Sequence, residues 1–280
     1  HKNIDIHNNQ EKLLNNTADN MVSIAGRVVS LRSMGKSTFL HVQDDTAKIQ
    51  FYLNNNNIEN ELDKIVCENL DLGDVIGGSG EVFLTKTKEL SIRVQKITLL
   101  AKNIRPLPNL KEKDGEAFNA FTDKESRYRH RYLDLIANPS SKDEFRKRSN
   151  IINHLRSYLN SNDYLEVETP VLQPLYGGAT ARPFKTFHNS LNRELFLRIA
   201  DELYLKRLII GGFDKVYEIA KNFRNEGMDR NHNPEFTMLE FYEAYSDVND
   251  MIVFTEQIFK SISKKINKKK VVFNDNEIDL

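Results

Sequence analysis

Two short segments decide how this chain is interpreted: NFRNEG at residues 222–227 and HNPEFTMLE at residues 232–240. Arg224 and Glu226 stand two residues apart, so in an extended strand their side chains project from one face. The Gly, Asp and Asn residues between 227 and 233 are typical of a turn. In a returning strand over residues 236–242, alternate side chains again share a face. We therefore predict an antiparallel hairpin that presents charged and aromatic side chains over one patch.

The side chains of this predicted hairpin suit a nucleotide together with a small charged molecule. Arg224 could bind a phosphate, Glu226 could accept a hydrogen bond from an exocyclic amine, and Phe236 offers a stacking surface. The same alternation of polar and apolar residues also describes an ordinary half-buried hairpin with a solvated polar face. Periodicity alone therefore leaves both interpretations open.

The composition is that of a globular protein with room for two domains. The chain has 280 residues and a net charge of zero, so any RNA contact would come from a local surface. Cys67 is the only cysteine, which excludes an internal disulfide and fits a reducing compartment, the cytoplasm or an organelle. The apolar runs are too short for a membrane span. Because the first residue is His, we expect a fragment or a trimmed chain.

Short strands dominate the first third of the chain. Apolar residues then recur at helical spacing between Ile58 and Val66. Five strands, with one helix between the third and the fourth, outline an OB-fold barrel. We place this all-β domain at residues 22–104, behind a polar N-terminal flank at residues 1–21. The predicted strands are residues 23–29, 38–44 and 48–53, a fourth that opens at residues 73–78, and a fifth at residues 90–97.

A second domain is predicted after a linker at residues 105–123, which is rich first in proline and then in charged residues. Ser141 and Glu144 form a capping-box pattern ahead of an apolar helix face. That helix leads to a strand at residues 164–170, which Pro170 ends. Further helices are predicted at residues 202–210 and from Ser246 or Asp247 onward.

The segment FRNEG followed by HNPEFT resembles motif 2 of class II aminoacyl-tRNA synthetases, in the form found in lysyl-tRNA synthetases. The resemblance covers residues 22–280. It implies an OB-fold anticodon-binding barrel followed, at residues 124–280, by part of an α+β catalytic domain with an antiparallel sheet flanked by helices. It also implies activation of lysine with ATP to lysyl-adenylate and transfer to the 3′ end of a lysine tRNA. The other supporting blocks are RYRHRYLDL at residues 127–135, EVETP at 166–170, GGATARPF at 177–184 and LRIADELYLKR at 197–207.

The resemblance implies an ATP site on the predicted hairpin. Arg224 would bind the α-phosphate and stabilise charge as the amino-acid carboxylate attacks phosphorus, Glu226 would read the adenine amino group, and Phe236 would stack on adenine. His232 and Asn233 would hold the triphosphate. Arg224, Glu226 and His232 are the implied catalytic residues of an in-line adenylyl transfer, which works by positioning and electrostatics without a covalent protein intermediate.

A lysine pocket is implied at Gly178, Glu202, Glu240 and Tyr242. A desolvated ammonium must be paired, and Glu202 and Glu240 supply carboxylates for it. Tyr242 would form a hydrogen-bonding wall, and Gly178 would allow close backbone approach. The related aspartate and asparagine enzymes carry Gln where Glu202 stands, and a pocket lined with Glu would repel aspartate, so lysine is the favoured substrate.

The resemblance places tRNA recognition on the barrel. Phe39 would stack on a splayed anticodon base, Arg32 and Gln50 would hydrogen-bond to base edges, and Glu89 would contact a neighbouring base, because unpaired RNA is where sequence can be read. The predicted helix and the block EVETP at residues 166–170 resemble motif 1 of the family, which implies a homodimer whose interface includes Pro170.

Other features of the family are expected outside residues 1–280. Motif 3, with an arginine for the ATP γ-phosphate, and the acidic ligands of Mg²⁺ are expected beyond residue 280, so no metal ligand is assigned in this chain. We therefore expect the isolated chain to be weak or inactive in adenylate formation. Asp201 stands where the family frequently has Pro, and a helix start accepts either residue.

Three alternatives remain beside lysine–tRNA ligation. A related aspartate or asparagine enzyme is disfavoured by Glu202 and by the glycine pair at residues 177–178. A paralogue that lysylates a translation factor would lack the anticodon domain. A non-catalytic OB module that binds single-stranded nucleic acid would leave the blocks in residues 124–280 vestigial.

Overall fold

A computed structural model describes most of the chain, which folds as two units, His1–Ser141 and Lys142–Leu280. No helix in the part of the chain it describes is long and apolar enough to cross a membrane. The predicted end of the linker at residue 123 stays a prediction, and part of the linker lies outside the described residues. Those described are residues 1–15, 20–35, 37–58, 60–108, 111–113, 116–118, 121–273 and 276–279.

A closed barrel of five strands dominates the first unit. The strands follow one another around it in the order β1-β2-β3-β5-β4, and one helix separates the third strand from the fourth, which confirms the predicted OB-fold. The elements of this unit are α1 (Asn3–Asn8), α2 (Gln10–Asn15), β1 (Met21–Met34), β2 (Ser37–Gln43), β3 (Lys48–Asn54), α3 (Glu61–Glu68), β4 (Val75–Leu84), β5 (Leu90–Ala101), β6 (Lys111–Lys113), β7 (Glu116–Phe118), α4 (Lys124–Arg129) and α5 (Arg131–Ala137).

Alternation along the strands defines the barrel interior, although β3 and β5 also bury residues of the outward face. Leu40 on β2, Phe51 on β3 and Ile92 on β5 pair across the sheet and are fully buried, while their neighbours in sequence point outward. The first strand is longer than predicted. It contains a bulge between Val28 and Ser30, which turns the strand from its neighbour β4 to its neighbour β2.

The N-terminal residues form two short helices that the sequence interpretation did not predict. Ile6 is buried in the barrel core. The amide nitrogen of Asn3, Nδ2, donates hydrogen bonds to the carbonyl oxygens of Val42 (2.9 Å) and Ala47 (3.0 Å). The segment predicted as a polar flank therefore packs on the barrel, because one apolar residue and one buried amide attach an otherwise polar helix.

A buried aspartate organises the end of the first unit. Asp134 accepts hydrogen bonds from Asn138 Nδ2 (2.8 Å) and Arg127 Nε (2.6 Å). Burial opposes its ionisation, but these bonds and two others lower the pKa of Asp134 to about 2. The next helix, α6 (Pro139–Ser161), begins at a proline suited to the first helical position, so Ser141 is not the cap that was predicted. Its Oγ instead accepts from Arg127 Nη2 at 3.1 Å.

The second unit is built on a long hairpin with helices beside it. The hairpin strands β12 and β13 pair antiparallel, and β12 also pairs parallel with the short strand β8. Helix α8 begins after Asp247, whose side chain accepts from the backbone N–H groups of Asn249 (2.7 Å) and Asp250 (3.1 Å), as predicted for one of the two candidate caps. The elements are β8 (Leu165–Glu166), β9 (Leu172–Gln173), β10 (Lys185–His188), β11 (Arg193–Leu197), α7 (Glu202–Ile210), β12 (Lys215–Phe223), β13 (Glu235–Glu243), α8 (Val248–Lys265), β14 (Lys270–Phe273) and β15 (Asn276–Asp279).

The strand predicted at residues 164–170 is only two residues long. Beyond Glu166, Thr169 turns its backbone N–H (3.2 Å) and its hydroxyl (2.6 Å) toward the carboxylate of Glu218 on β12. Pro170 has no N–H to continue a ladder. The segment therefore leaves the sheet and binds a buried carboxylate instead of pairing as a strand.

The core of the second unit fixes the hairpin against α6 and α8. Leu159 of α6, Tyr217 of β12 and Ile258 of α8 are buried together. The ring of Tyr164 stacks on Phe254 of α8 with centroids 5.1 Å apart. This aromatic and aliphatic cluster holds β12 and β13 rigid along the stretch that carries the predicted site.

Candidate functional site

The predicted hairpin forms, but its first strand ends earlier than expected. The register pairs Asn222 with Phe236 and ends at Phe223, so Arg224 and Glu226 lie in the connecting loop and not on one face of a strand. The backbone there pairs with another loop: Asn225 N donates to the carbonyl of Arg182 at 2.8 Å. Loop pairing has replaced the strand ladder, and the prediction of a shared strand face was wrong for these two residues.

The arginine and the aromatic ring are nevertheless brought together. The guanidinium carbon of Arg224 lies 5.1 Å from the centroid of the Phe236 ring, a cation–π contact. Arg224 N donates to the carbonyl of Pro234 at 2.8 Å, which ties the loop end to the returning strand. Both side chains are half-buried. The cation is therefore oriented by a ring and by its backbone, yet remains accessible to a ligand.

The remaining residues of the predicted ATP site are exposed. The carboxylate of Glu226 accepts from the backbone N–H of Arg182 at 3.3 Å. His232 Nδ1 lies 2.8 Å from Asp229 Oδ2. Backbone N–H donation, from Asn231 first, and the imidazole hold the pKa of Asp229 below its usual range. Asn233 is exposed in the same loop. The loop thus carries the predicted groups at its surface, without drawing them into one cavity with Arg224.

All four residues predicted for the amino-acid pocket meet in one open cavity of about 430 Å³, together with Arg224. They come from separate elements: Gly178 from a loop, Glu202 from the start of α7, and Glu240 and Tyr242 from one face of β13. The cavity is lined by Gly178, Ala200, Glu202, Arg224, Met238, Leu239, Glu240, Phe241 and Tyr242.

Two carboxylates stand beside the guanidinium of Arg224 in this cavity. Glu240 Oε1 accepts from the backbone N–H of Asp201 (3.2 Å), and Oε2 accepts from the Tyr242 hydroxyl (3.0 Å), which fixes the carboxylate. Burial first, and then the nearby carboxylates led by Glu240, raise the pKa of Tyr242, so the phenol keeps its proton as a donor. Glu202 Oε1 lies 2.6 Å from the ammonium nitrogen of Lys206, a side chain that is more than half exposed.

Close packing explains why a glycine stands at position 178. Its φ is +87°, a conformation that glycine adopts without strain. A Cβ added there would lie 2.9 Å from the Cβ of Glu202 and 3.1 Å from that of Ala200. Both neighbouring residues line the cavity, and their Cβ atoms are fixed by the backbone. A side chain at this position would therefore displace the cavity wall.

A buried ionic cluster lies behind the cavity and was not predicted. Arg198 Nη1 donates to Glu218 Oε1 (2.7 Å), and its Nε lies 3.3 Å from Asp201 Oδ1. One guanidinium thus faces two buried carboxylates. Burial, together with Glu218 and Glu240, raises the pKa of Asp201 to about 6 against the attraction of Arg198. The sequence offered one signal: Glu218 and Asn222 are polar residues on the inward side of an otherwise apolar strand.

The four residues assigned to RNA also share one cavity, of about 510 Å³, on the outer face of the barrel. Arg32, Phe39, Tyr52 and Arg93 are direct register partners on four adjacent strands, so they form a row across the sheet. The cavity is lined by Arg32, Met34, Phe39, Gln50, Tyr52, Phe83, Thr85, Lys86, Thr87, Glu89 and Arg93.

The sequence interpretation missed part of this surface. The ring centroids of Phe39 and Tyr52 are 5.0 Å apart, and those of Tyr52 and Phe83 are 6.0 Å apart. The guanidinium carbon of Arg93 lies 4.9 Å from the Phe83 centroid. Aromatic rings beside cations are the surface that unpaired bases favour. The period-two spacing of Gln50 and Tyr52 on β3 was the available signal.

Pro170, predicted at a dimer interface, is exposed. Within the described ranges, no three side chains from His, Cys, Asp and Glu group closely enough to hold a metal ion. The thiol of Cys67 is partly buried, and burial, followed by the charges of Asp63 and Glu68, raises its pKa to about 11. A thiol with so high a pKa is not activated as a nucleophile.

Both surfaces lie in parts of the chain that match known families. Residues 123–279 match the family described as tRNA synthetases class II (D, K and N), and residues 22–100 match the family described as OB-fold nucleic acid binding domain. The chain is 55% identical over 252 residues to a protein of Porphyromonas gingivalis named Lysine–tRNA ligase. The aligned region covers 88% of this chain and 44% of that protein. A protein of the same name from Aquifex aeolicus is 51% identical over 259 residues, covering 92% of this chain and 42% of that protein.

The chain therefore spans less than half the length of the curated relatives it matches. The family match itself extends over more than half of the chain and includes the whole hairpin, the cavity and the buried cluster behind it. Order of domains, fold and sequence agree: the chain belongs to the tRNA synthetases of class II (D, K and N).

Proposed function

We propose that this chain carries the anticodon-binding domain and part of the catalytic domain of a lysine–tRNA ligase, which activates lysine with ATP to lysyl-adenylate and transfers it to the 3′ end of a lysine tRNA. The names of its relatives support the lysine specificity. The observation that carries the proposal is the cavity in which the carboxylates of Glu202 and Glu240 stand beside the guanidinium of Arg224.

The charges of this cavity match those of lysine. Lysine has two ammonium groups and one carboxylate, and the cavity has two carboxylates and one guanidinium. Glu240 is already oriented by two donors, and Glu202 already accepts an ammonium, that of Lys206. Aspartate has a second carboxylate, which would face Glu202 and Glu240 in this cavity. Repulsion between these like charges disfavours its binding. The pocket thus favours a cationic side chain.

Activation proceeds by positioning. The carboxylate of lysine attacks the α-phosphorus of ATP, a new P–O bond forms, and pyrophosphate leaves from the opposite side. Arg224 balances the charge that develops, and its contact with Phe236 fixes its direction. Phe236 also offers its ring to adenine, Glu226 accepts from the adenine amino group, and His232 and Asn233 bind the outer phosphates. Tyr242 donates to Glu240 and keeps its proton throughout.

The other partners follow from the same proposal. ATP would enter with Mg²⁺, and among the described residues no group of His, Cys, Asp and Glu side chains could hold that ion. The cavity at Arg32, Phe39, Gln50 and Glu89 binds anticodon bases. Exposed Pro170 belongs to a homodimer interface. The cytoplasm or another reducing compartment suits a chain whose only cysteine is unpaired.

The test is amino-acid-dependent exchange between ATP and pyrophosphate, with lysine, aspartate and asparagine in parallel. It uses the 280-residue chain and a form extended at its C-terminus to the length of the relatives. We expect exchange with lysine in the extended form. Exchange with aspartate or asparagine would refute the pocket assignment. Absence of exchange with all three, in both forms, would leave only the nucleic-acid-binding function.

A matched substitution separates the two functions. Arg224→Ala in the extended form should abolish exchange, because the charge that stabilises the transition state is lost. Binding of an anticodon stem-loop RNA should stay within about twofold of the parent protein, because surface substitutions away from a binding site have small effects. An equal loss of both activities would contradict the division of labour between the two cavities.

A further inference from the structure

A second row of polar side chains crosses the barrel beside the one that contains Phe39. Ser30, His41, Gln50 and Ser91 are direct register partners on β1, β2, β3 and β5. The intervening row on these strands, which includes Leu40, points into the core, so both polar rows face outward. Of this second row, the sequence interpretation assigned a role only to Gln50.

These side chains form one continuous chain of hydrogen bonds through Glu89. Ser30 Oγ lies 2.7 Å from His41 Nδ1, and His41 Nε2 lies 2.8 Å from Glu89 Oε1. Gln50 Nε2 donates to Glu89 Oε2 at 2.8 Å, and Ser91 Oγ donates to Gln50 Oε1 at 2.8 Å. Every link has the length of a well-formed hydrogen bond.

The carboxylate in the middle determines where the protons lie. An ionised carboxylate only accepts, so the imidazole of His41 carries a proton on Nε2, and in its neutral form it accepts from Ser30 at Nδ1. The amide of Gln50 must present its nitrogen to Glu89 and its oxygen to Ser91, because the reversed amide would place an oxygen against the carboxylate. His41 therefore binds one side of the Glu89 carboxylate, in a chain of hydrogen bonds that allows only one orientation of the Gln50 amide.

We propose that His41 is a positioning residue for base recognition: it holds Glu89, and through Glu89 the amide of Gln50, in the orientation that meets an unpaired RNA base. This inference rests on the proposed anticodon-binding function of the barrel. Glu89 and Gln50 both line the cavity with Phe39, and each retains hydrogen-bonding capacity beyond the partners named above.

Loss of His41 should affect selectivity more than affinity. Without the imidazole, Glu89 can rotate and the Gln50 amide can reverse, and reversal exchanges donor for acceptor at the base edge. Stacking on Phe39 and contacts to phosphates, which supply most of the affinity, do not depend on the amide. Preorganised groups discriminate between ligands because mobile groups adapt to the wrong one.

The experiment measures fluorescence anisotropy of labelled anticodon stem-loop RNA of a lysine tRNA at constant salt, with each of the three anticodon bases replaced in turn. The protein is the 280-residue chain. For His41→Ala we expect the preference for the parent stem-loop over at least one replacement to fall roughly fivefold, the effect of one hydrogen bond, while its affinity for the parent RNA changes less. His41→Gln should restore the preference, because its amide can donate to Glu89 and accept from Ser30.

The controls distinguish this role from a structural one. His7→Ala removes an exposed imidazole that contacts the Lys48 carbonyl and lies outside this chain of hydrogen bonds, and it should leave the preference unchanged. An unchanged preference in His41→Ala, or an equal loss in His41→Ala and His41→Gln, would overturn the inference while the anticodon function stands. A parent protein that binds all the stem-loops equally would refute the anticodon function and the inference with it.

Discussion

Replacing Asp201 by asparagine should stabilise the second unit at neutral pH. Asp201 is fully buried, and its Oδ1 lies 3.3 Å from Arg198 Nε, an ion-pair distance, without forming a hydrogen bond to any described residue. Its pKa is raised to about 6 from an ordinary value of 3.8. Below about pH 4 the carboxyl is protonated in both the folded and the unfolded chain. Between about pH 4 and pH 6 the unfolded chain loses this proton first, so the stability contributed by the neutral acid is lost as the pH rises.

The size of the effect follows from the shift. About 2 pKa units at 1.36 kcal/mol each give about 3 kcal/mol of destabilisation once the pH exceeds 6. Asparagine has nearly the same shape and no charge to bury. Arg198 keeps Glu218 at 2.7 Å and the carbonyls of Lys221 (2.9 Å) and Thr169 (3.1 Å). Asp201→Asn should therefore raise the free energy of unfolding by about 3 kcal/mol at pH 7, and by about 1 kcal/mol at pH 4.5.

The assay is hydrogen exchange of the β12 amides as a function of urea, which reports the second unit alone, because a chain of two units need not unfold in one transition. Comparing the variant with the parent at each pH cancels the intrinsic pH dependence of exchange. Glu194→Gln, which removes an exposed carboxylate paired with Lys185, should change the stability by less than about 0.5 kcal/mol at either pH. A destabilised Asp201→Asn at pH 7, or a difference independent of pH, would refute the reasoning.

Three further substitutions test the cavities. Gly178→Ala should raise the KM for lysine at least about tenfold, measured by lysine-dependent exchange in the extended form. The added methyl group would overpack the cavity wall at a residue with positive φ and displace that wall. Tyr242→Phe removes one donor to Glu240 and should raise the same KM roughly fivefold, with an unchanged value counting against the pocket. Phe39→Ala should weaken stem-loop RNA binding by roughly one to two orders of magnitude through lost stacking and leave exchange intact, so a loss of exchange would contradict the assignment.

Some strands and helix ends could be predicted from short stretches of sequence. Alternation along β2 and β3 predicted the barrel strands, and the cap at Asp247 predicted the start of α8. The helix predicted at residues 202–210 forms with those bounds as α7, and the glycine pair at residues 211–212 follows its end. These features depend on neighbouring residues, because side-chain direction in a strand and satisfaction of a helix end are set within a few positions of the chain.

Other expectations failed where distant residues decide. Ser141 has the pattern of a cap, but a proline two residues earlier begins the helix, and the Ser141 hydroxyl accepts a hydrogen bond from Arg127 instead. Arg224 and Glu226 were predicted on one strand face, but Arg224 N donates to the carbonyl of Pro234, and the backbone N–H of Arg182 donates to the Glu226 carboxylate. A short polar sequence pattern is compatible with several local structures, and long-range contacts determine which of them forms.

The amino-acid sequence by itself determined the family and the kinds of side chain at each site, because it contains the motifs in their order and the chemistry of each residue. Only the tertiary structure decided which of those groups meet. Glu202 and Glu240 share one cavity because α7 packs against β13, and Asp201 has a raised pKa because it is buried near two other carboxylates. Contact across the fold and exclusion of water are properties of the packed chain, and no local segment specifies them.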